Sequence, residues 1–162
     1  MQKIYRQGAK GALLDEYEKV IAELKECIKD ISDKELAFIV DPNTDDDNCL
    51  SIQTILTHVV DSGFGYAVYI KNLGGNNSVE PVPKTNATAK EYISDLTDAF
   101  QFTLTVFETI KETDLEHLDQ AKKIVTGSGR FYDIEQMMEH AIVHILRHRR
   151  QIEKFKIALN NL

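Results

Sequence analysis

GGNNSVEPVPKTNAT, residues 74–88, separates two helical patterns and carries Gly74, Gly75, Pro81 and Pro83, which forbid regular structure across it. About 14 residues of such chain reach about 45 Å when extended, enough to cross the length of a helical bundle where a tight turn would need far fewer. A crossover connection is therefore allowed here. Upstream, a helix is predicted from the capping hydroxyl of Ser51 through Ile52, Ile55, Leu56, Val59, Val60, Phe64, Tyr66 and Val68 to about Leu73. Gly63 and Gly65 interrupt it at a cost of about 1 kcal/mol each relative to alanine, so a close neighbour is expected there, a packed helix before a ligand. Downstream, Thr88, Ala89, Lys90 and Glu91 fit a capping box, and Tyr92, Ile93, Leu96, Ala99, Phe100, Leu104, Phe107 and Ile110 continue the helical spacing. That aromatic stripe reads as core.

Two more helices flank this pair. Leu13, Leu14, Tyr17, Val20, Ile21, Leu24, Ile28 and Ile31 recur three or four apart, predicting a helix over 12–31 with one buried stripe. DPNTDDDN, residues 41–48, is a polar loop whose acids lack the glycine and terminal glutamate of a calcium loop. Gly127, Ser128 and Gly129 mark a tight turn, predicting a small hairpin of 123–125 against 130–132; with no following Gly-Lys pair they are not a phosphate loop. A last helix runs from Asp133 or Ile134 to about Leu159. Four amphipathic helices without a substantial sheet predict an all-α fold, a four-helix bundle with a long crossover between its second and third helices, as one domain over 1–162.

Composition narrows the function. With 43% hydrophobic residues, 162 residues suffice for one full core. The 26 acidic against 19 basic residues give a net charge of −7, a sign that repels phosphate backbones, so no nucleic-acid partner is expected. Cys27 and Cys49 are too few for a disulfide scaffold. The N-terminal stretch has charges throughout, and no segment approaches about 18 uninterrupted apolar residues, so no membrane partner is expected and the cytoplasm is the expected compartment.

Three of the five histidines, His140, His144 and His148, are spaced four apart on the last helix and so project along one line. Neighbours in that line can chelate a metal, but His140 and His148 are about 12 Å apart along the axis, too far to share an ion whose nitrogens lie within about 4 Å of each other. His144 belongs to either pair; spacing leaves the choice between His140 and His148 open. His58 is the candidate third ligand, on the apolar side of the second helix, whereas His117 falls in a polar stretch read as surface. A lone His58 would ordinarily be a core histidine bonded to a carbonyl, and a histidine row can be a solvated face. Together they would leave several polar groups inside a bundle, which a metal satisfies.

The segment from His144 to Ile152, HILRHRRQI, resembles the last-helix signature of the DinB/YfiT-like family of metalloenzymes, in which H-x-x-x-H is followed by a basic or small residue, then Gln and an apolar residue. TILTHV, around His58, resembles that family's second-helix segment; Arg150 departs from it, standing where a small residue is common. The resemblance implies a crossover bundle, metal ligands His58, His144 and His148, and His140 as a supporting neighbour one turn away. It also implies a homodimer.

Three protein ligands leave a coordination position open, as catalytic sites do. Imidazole suits zinc, nickel, iron and copper alike; the expected ion is a divalent transition metal, zinc or nickel first, with iron, manganese and copper as the alternatives. The resemblance implies an enzyme acting on a small molecule, by S-transfer involving a low-molecular-weight thiol or by hydrolysis; the contrasting class is a non-catalytic helical binding or dimerisation module. Asp61 and Glu139 are placed to orient an imidazole or act as bases, Arg147 and Arg149 to receive an anionic substrate, and Gln151 to support a ligand.

Overall fold

A computed structural model describes residues 4–161; Met1 to Lys3 and Leu162, the ends of the expected domain, lie outside the described residues. The described chain is mostly helical. Its helices are α1 (Gly8–Ile28), α2 (Asp33–Ala37), α3 (Ile52–Leu73), α4 (Ala89–Phe107) and α5 (Ile134–Leu159). The only strands among the described residues are β1 (Ile124–Val125) and β2 (Phe131–Tyr132), an antiparallel hairpin pairing Ile124 with Tyr132 and Val125 with Phe131. None of the described helices is long and apolar enough to cross a membrane.

The caps set the helix starts. Ser51 accepts from the Thr54 amide, Thr88 from Glu91 and Asp133 from Gln136, each within a capping box. A further box, Ser32 with Glu35, opens α2 and explains why α1 stops at Ile28, three residues short of the expected Ile31: the chain must turn before Ser32 can cap. At its other end α1 begins at Gly8, four residues earlier than periodicity predicts. The Glu112 carboxylate accepts from the Lys10 amide at 3.2 Å, and the Lys10 ammonium donates to the carbonyls of Phe107 and Ile110 at the end of α4. Those partners are about a hundred residues away in the chain, so local pattern does not reveal them.

Contacts along the long helices fix their directions. Lys25 meets Thr97 and Lys10 meets Phe107, so α1 and α4 are antiparallel. Glu23 pairs with Arg149, and Lys156 donates to the Cys27 carbonyl, so α1 and α5 run parallel. His58 lies beside His148 and Tyr66 beside His140, making α3 and α5 antiparallel. In the fourth pair the Gln53 amide reaches the Asn86 carbonyl at 2.8 Å and Phe64 stacks near Phe102, so α3 and α4 are parallel. The linker between them must return along α3. Ser78 bonds Asn72, Glu80 covers Gly65, and Pro81 to Lys84 pass Thr57, Val60 and Asp61 before Asn86 reaches Gln53.

The core lies between these helices, with Leu24, Ile28, Ile55, Leu56, Tyr92 and Met137 almost wholly buried. Tyr92 ties the end of the linker down: its hydroxyl lies 2.6 Å from that of Thr57 and accepts from the Asn86 amide at 3.1 Å. Packing limits the size of the side chain that position 63 can carry. A Cβ on Gly63 would lie 3.4 Å from the Tyr17 hydroxyl and 3.5 Å from the Ala99 methyl, ordinary contact for one carbon and no room for more. Gly63→Ala is therefore expected to raise stability by up to about 1 kcal/mol, by helix propensity, and Gly63→Leu to lower it by about 1–3 kcal/mol through overpacking. Urea denaturation of the two variants checks the reversal of sign.

Candidate metal centre

His58 projects from α3, and His144 and His148 project one turn apart from α5, across the seam where the two helices pack. One nitrogen from each ring can be chosen so that all three lie within 4.8 Å of one another. His58 Nε2 and His144 Nε2 are 2.9 Å apart, and the ring centroids of His144 and His148 are separated by 4.5 Å. Nitrogens on a tetrahedral zinc stand about 3.3 Å apart, given Zn–N bonds of about 2.0–2.1 Å. That value lies between the 2.9 Å of the closest pair and the 4.8 Å that bounds the triad. Two nitrogens at 2.9 Å imply either one N–H donating to one lone pair or two lone pairs turned toward a shared cation.

Burial selects the protonation state a metal requires. It pushes the His144 imidazole down to about 3, assisted by the positive potential of His148, His58 and His140 when charged, and it lowers His58 and His148 as well. All three are neutral near pH 7, so each ring carries a lone pair that a cation can take. Opposing the burial, the carboxylates of Asp46 and Asp61 favour positive charge at His58, and Asp46 does so at His148. The seam thus combines neutral donors with the two carboxylates near His58 and His148, set against the positive charge of Arg147, which disfavours protonation of all three rings.

Gln151, one turn beyond His148, places its side-chain oxygen 3.2 Å from His148 Nδ1. An amide oxygen only accepts, so Nδ1 carries the proton and Nε2 presents the lone pair. The same oxygen accepts from the Cys49 thiol at 3.6 Å, and that thiol also faces Asp46 at 3.5 Å. Gln151→Leu is expected to weaken zinc binding by about 10–100-fold, measured by competition with a chromophoric chelator, while the metal-free fold is retained.

The remaining residues singled out from sequence have other surroundings. His140 lies outside the triad, its ring against Tyr66 and Tyr132 at 5.4 and 5.6 Å, beside a cavity of about 170 Å³ also lined by Tyr69, Arg130 and Met137. Asp61 is half-buried on the wall of a cleft beneath the linker. Arg149 points to the α1 side, paired with Glu23 and Glu153, and Glu139 is exposed. His117 is half-buried in a separate cavity near the end of α3. Both cysteines are free.

Sequence reading missed Asp46, Cys49 and Tyr66 as neighbours of the site. Tyr66 had a signal, since eight residues after His58 returns to the same helical face; its ring meets His144 edge-on at 5.7 Å. Asp46 and Cys49 had none, because loop 41–51 reaches the seam only once α3 and α5 have packed. No protein-family model and no curated protein sequence matches the chain.

Proposed function

We propose that the chain is a divalent-metal-dependent enzyme of the DinB/YfiT-like type, a four-helix bundle with a crossover after its second long helix, acting on a small molecule by transfer involving a low-molecular-weight thiol. The observation that carries this reading is the convergence of three neutral imidazoles, one from α3 and two from α5, at one point of the seam. The pairing of parallel α3 and α4 through a long linker supports the same type.

His58, His144 and His148 would hold the ion, and Gln151 would keep His148 in the ligating tautomer. When bound, the ion supplies a Lewis acid with a coordination position that the three histidines leave free. Asp46 accepts from the Asn48 amide, which holds its carboxylate below the usual range. Such a group is a weak base and serves better to attract the cation than to take a proton from water. On the other side of His144, the recess formed by Tyr66, Tyr132 and His140 offers aromatic walls to an organic group.

The test is turnover of an activated alkyl halide by the zinc- or nickel-loaded chain with a panel of small thiols. The thiol sulfur takes the carbon, the halide departs and the thiol proton goes to buffer. Halide release that needs both metal and thiol, and disappears in His144→Ala, is the expected result. Metal-dependent turnover without thiol would move the chain to hydrolysis, and a metal-loaded chain that turns over nothing would leave a binding module.

A further inference from the structure

Beside the histidine row on α5, Arg147, Arg150, Gln151 and Lys154 line an open groove of about 300 Å³. We propose that Arg147, Arg150 and Lys154 form a subsite for the anionic group of a small ligand, a carboxylate or a phosphoryl group, whose other end reaches the imidazole cluster. The reach to the imidazoles rests on the metal reading above; the anion site does not.

Spacing makes the three cations one feature. At 3.6 residues per turn, positions 147, 150 and 154 fall within about 60° of arc and about 10 Å of helix length. Gln151 lies between this row and the histidine row, so the groove and the triad share a wall: one face of Gln151 lines the groove while its oxygen meets His148. Arg147 itself stands between His144 and His148 in the chain, and its charge is felt at all three ligand imidazoles.

Among the described residues Arg147, Arg150 and Lys154 have no ion-pair partner, whereas their neighbour Arg149 pairs with both Glu23 and Glu153. The chain has 26 acidic residues, yet no described acid lies within ion-pair distance of these three cations. Complementing the helix dipole does not account for the row, because that effect falls off within the last turn and the helix continues to Leu159. Guanidinium groups present paired N–H donors that match the two oxygens of a carboxylate or phosphoryl group. Three cations on a chain of net charge −7 are too few for a polyanion, which limits the ligand to a small molecule.

The experiment titrates the metal-free chain with succinate in one arm and inorganic phosphate in the other, at fixed ionic strength, following arginine Nε–H and Gln151 resonances by NMR. Saturable binding of either anion is expected, and the arm that saturates identifies the chemistry. The double variant Arg147→Gln/Arg150→Gln is expected to weaken it by about tenfold or more. Arg149→Gln, with its thermal midpoint checked, is expected to bind as wild type does. Equal binding by the double variant, or binding of neither anion, overturns the subsite. Salt-dependent capture of a DNA duplex without binding of either small anion would overturn it in favour of a polyanion surface. Because metal is absent throughout, a failure here is distinct from a failure of the metal reading.

Discussion

His144→Ala is expected to bind zinc or nickel more than about 100-fold more weakly than the wild type, a larger loss than removal of an outer-shell partner causes. His144 is the central ring of the cluster, 4.5 Å from His148 and 4.9 Å from His58 between centroids, and its Nε2 is the partner of His58 Nε2. Its removal leaves two imidazoles on different helices with no third donor between them. The same loss appears in thermal stability. An ion at a hundred times its dissociation constant stabilises the folded state by about 2.7 kcal/mol, which the wild type gains and the variant does not. His140→Ala supplies the contrast, since that ring packs against tyrosines outside the triad and its loss is expected to leave the metal-induced shift in place. Differential scanning fluorimetry with and without zinc reads both variants, and an undiminished shift in His144→Ala would contradict the assignment.

Acid is expected to destabilise the metal-free chain strongly, through the same rings. An unfolded histidine takes up its proton near pH 6.5. In the folded chain burial holds His144 neutral down to about 3 and lowers His58, His148 and His140 in the same direction. The unfolded state therefore binds more protons below neutrality, and stability falls as pH drops. The contribution is fully present above about pH 7 and is lost progressively through the window down to about pH 3. For His144 the loss is on the order of 3 kcal/mol, less than a full shift of that size because the ring is partly open to solvent. Asp46, Glu35 and Glu91, whose carboxylates are held low by hydrogen bonds, add acid sensitivity of the same sign at the lower end. The histidine part is isolated by difference: urea midpoints measured from pH 7.5 to pH 4 should fall less steeply in His144→Ala than in the wild type. Parallel curves would mean that the ring is not held neutral by the fold.

Much of this architecture was legible because its signals are local. Capping residues Ser51, Thr88 and Asp133 and the short hairpin around Gly127 to Gly129 depend on neighbours within a few positions, and the structure has them where periodicity and turn chemistry predict. The four-residue spacing of His144 and His148 likewise dictates that both rings face one way. Geometry that depends on packing was not legible. Which of His140 and His148 joins His144 is decided by how far α5 has slid along α3, which brings His58 opposite His148 and Tyr66 opposite His140. The start of α1 depends on Glu112, and the turn before α2 on a capping box that lies inside an otherwise continuous polar run. Asp46 and Cys49 belong to a loop whose composition says only that it is solvated, yet its last residues pack against Gln151.

The most direct measurement is the metal content of the chain purified without a histidine tag, by plasma mass spectrometry, alongside His58→Ala, His144→Ala, His148→Ala and His140→Ala. About one transition-metal ion per chain is expected in the wild type and in His140→Ala, and none in the other three, because three converging imidazoles make one site. A wild type that takes up neither zinc nor nickel at micromolar concentration, or ligand variants that keep the ion, would contradict the metal centre and the function proposed from it.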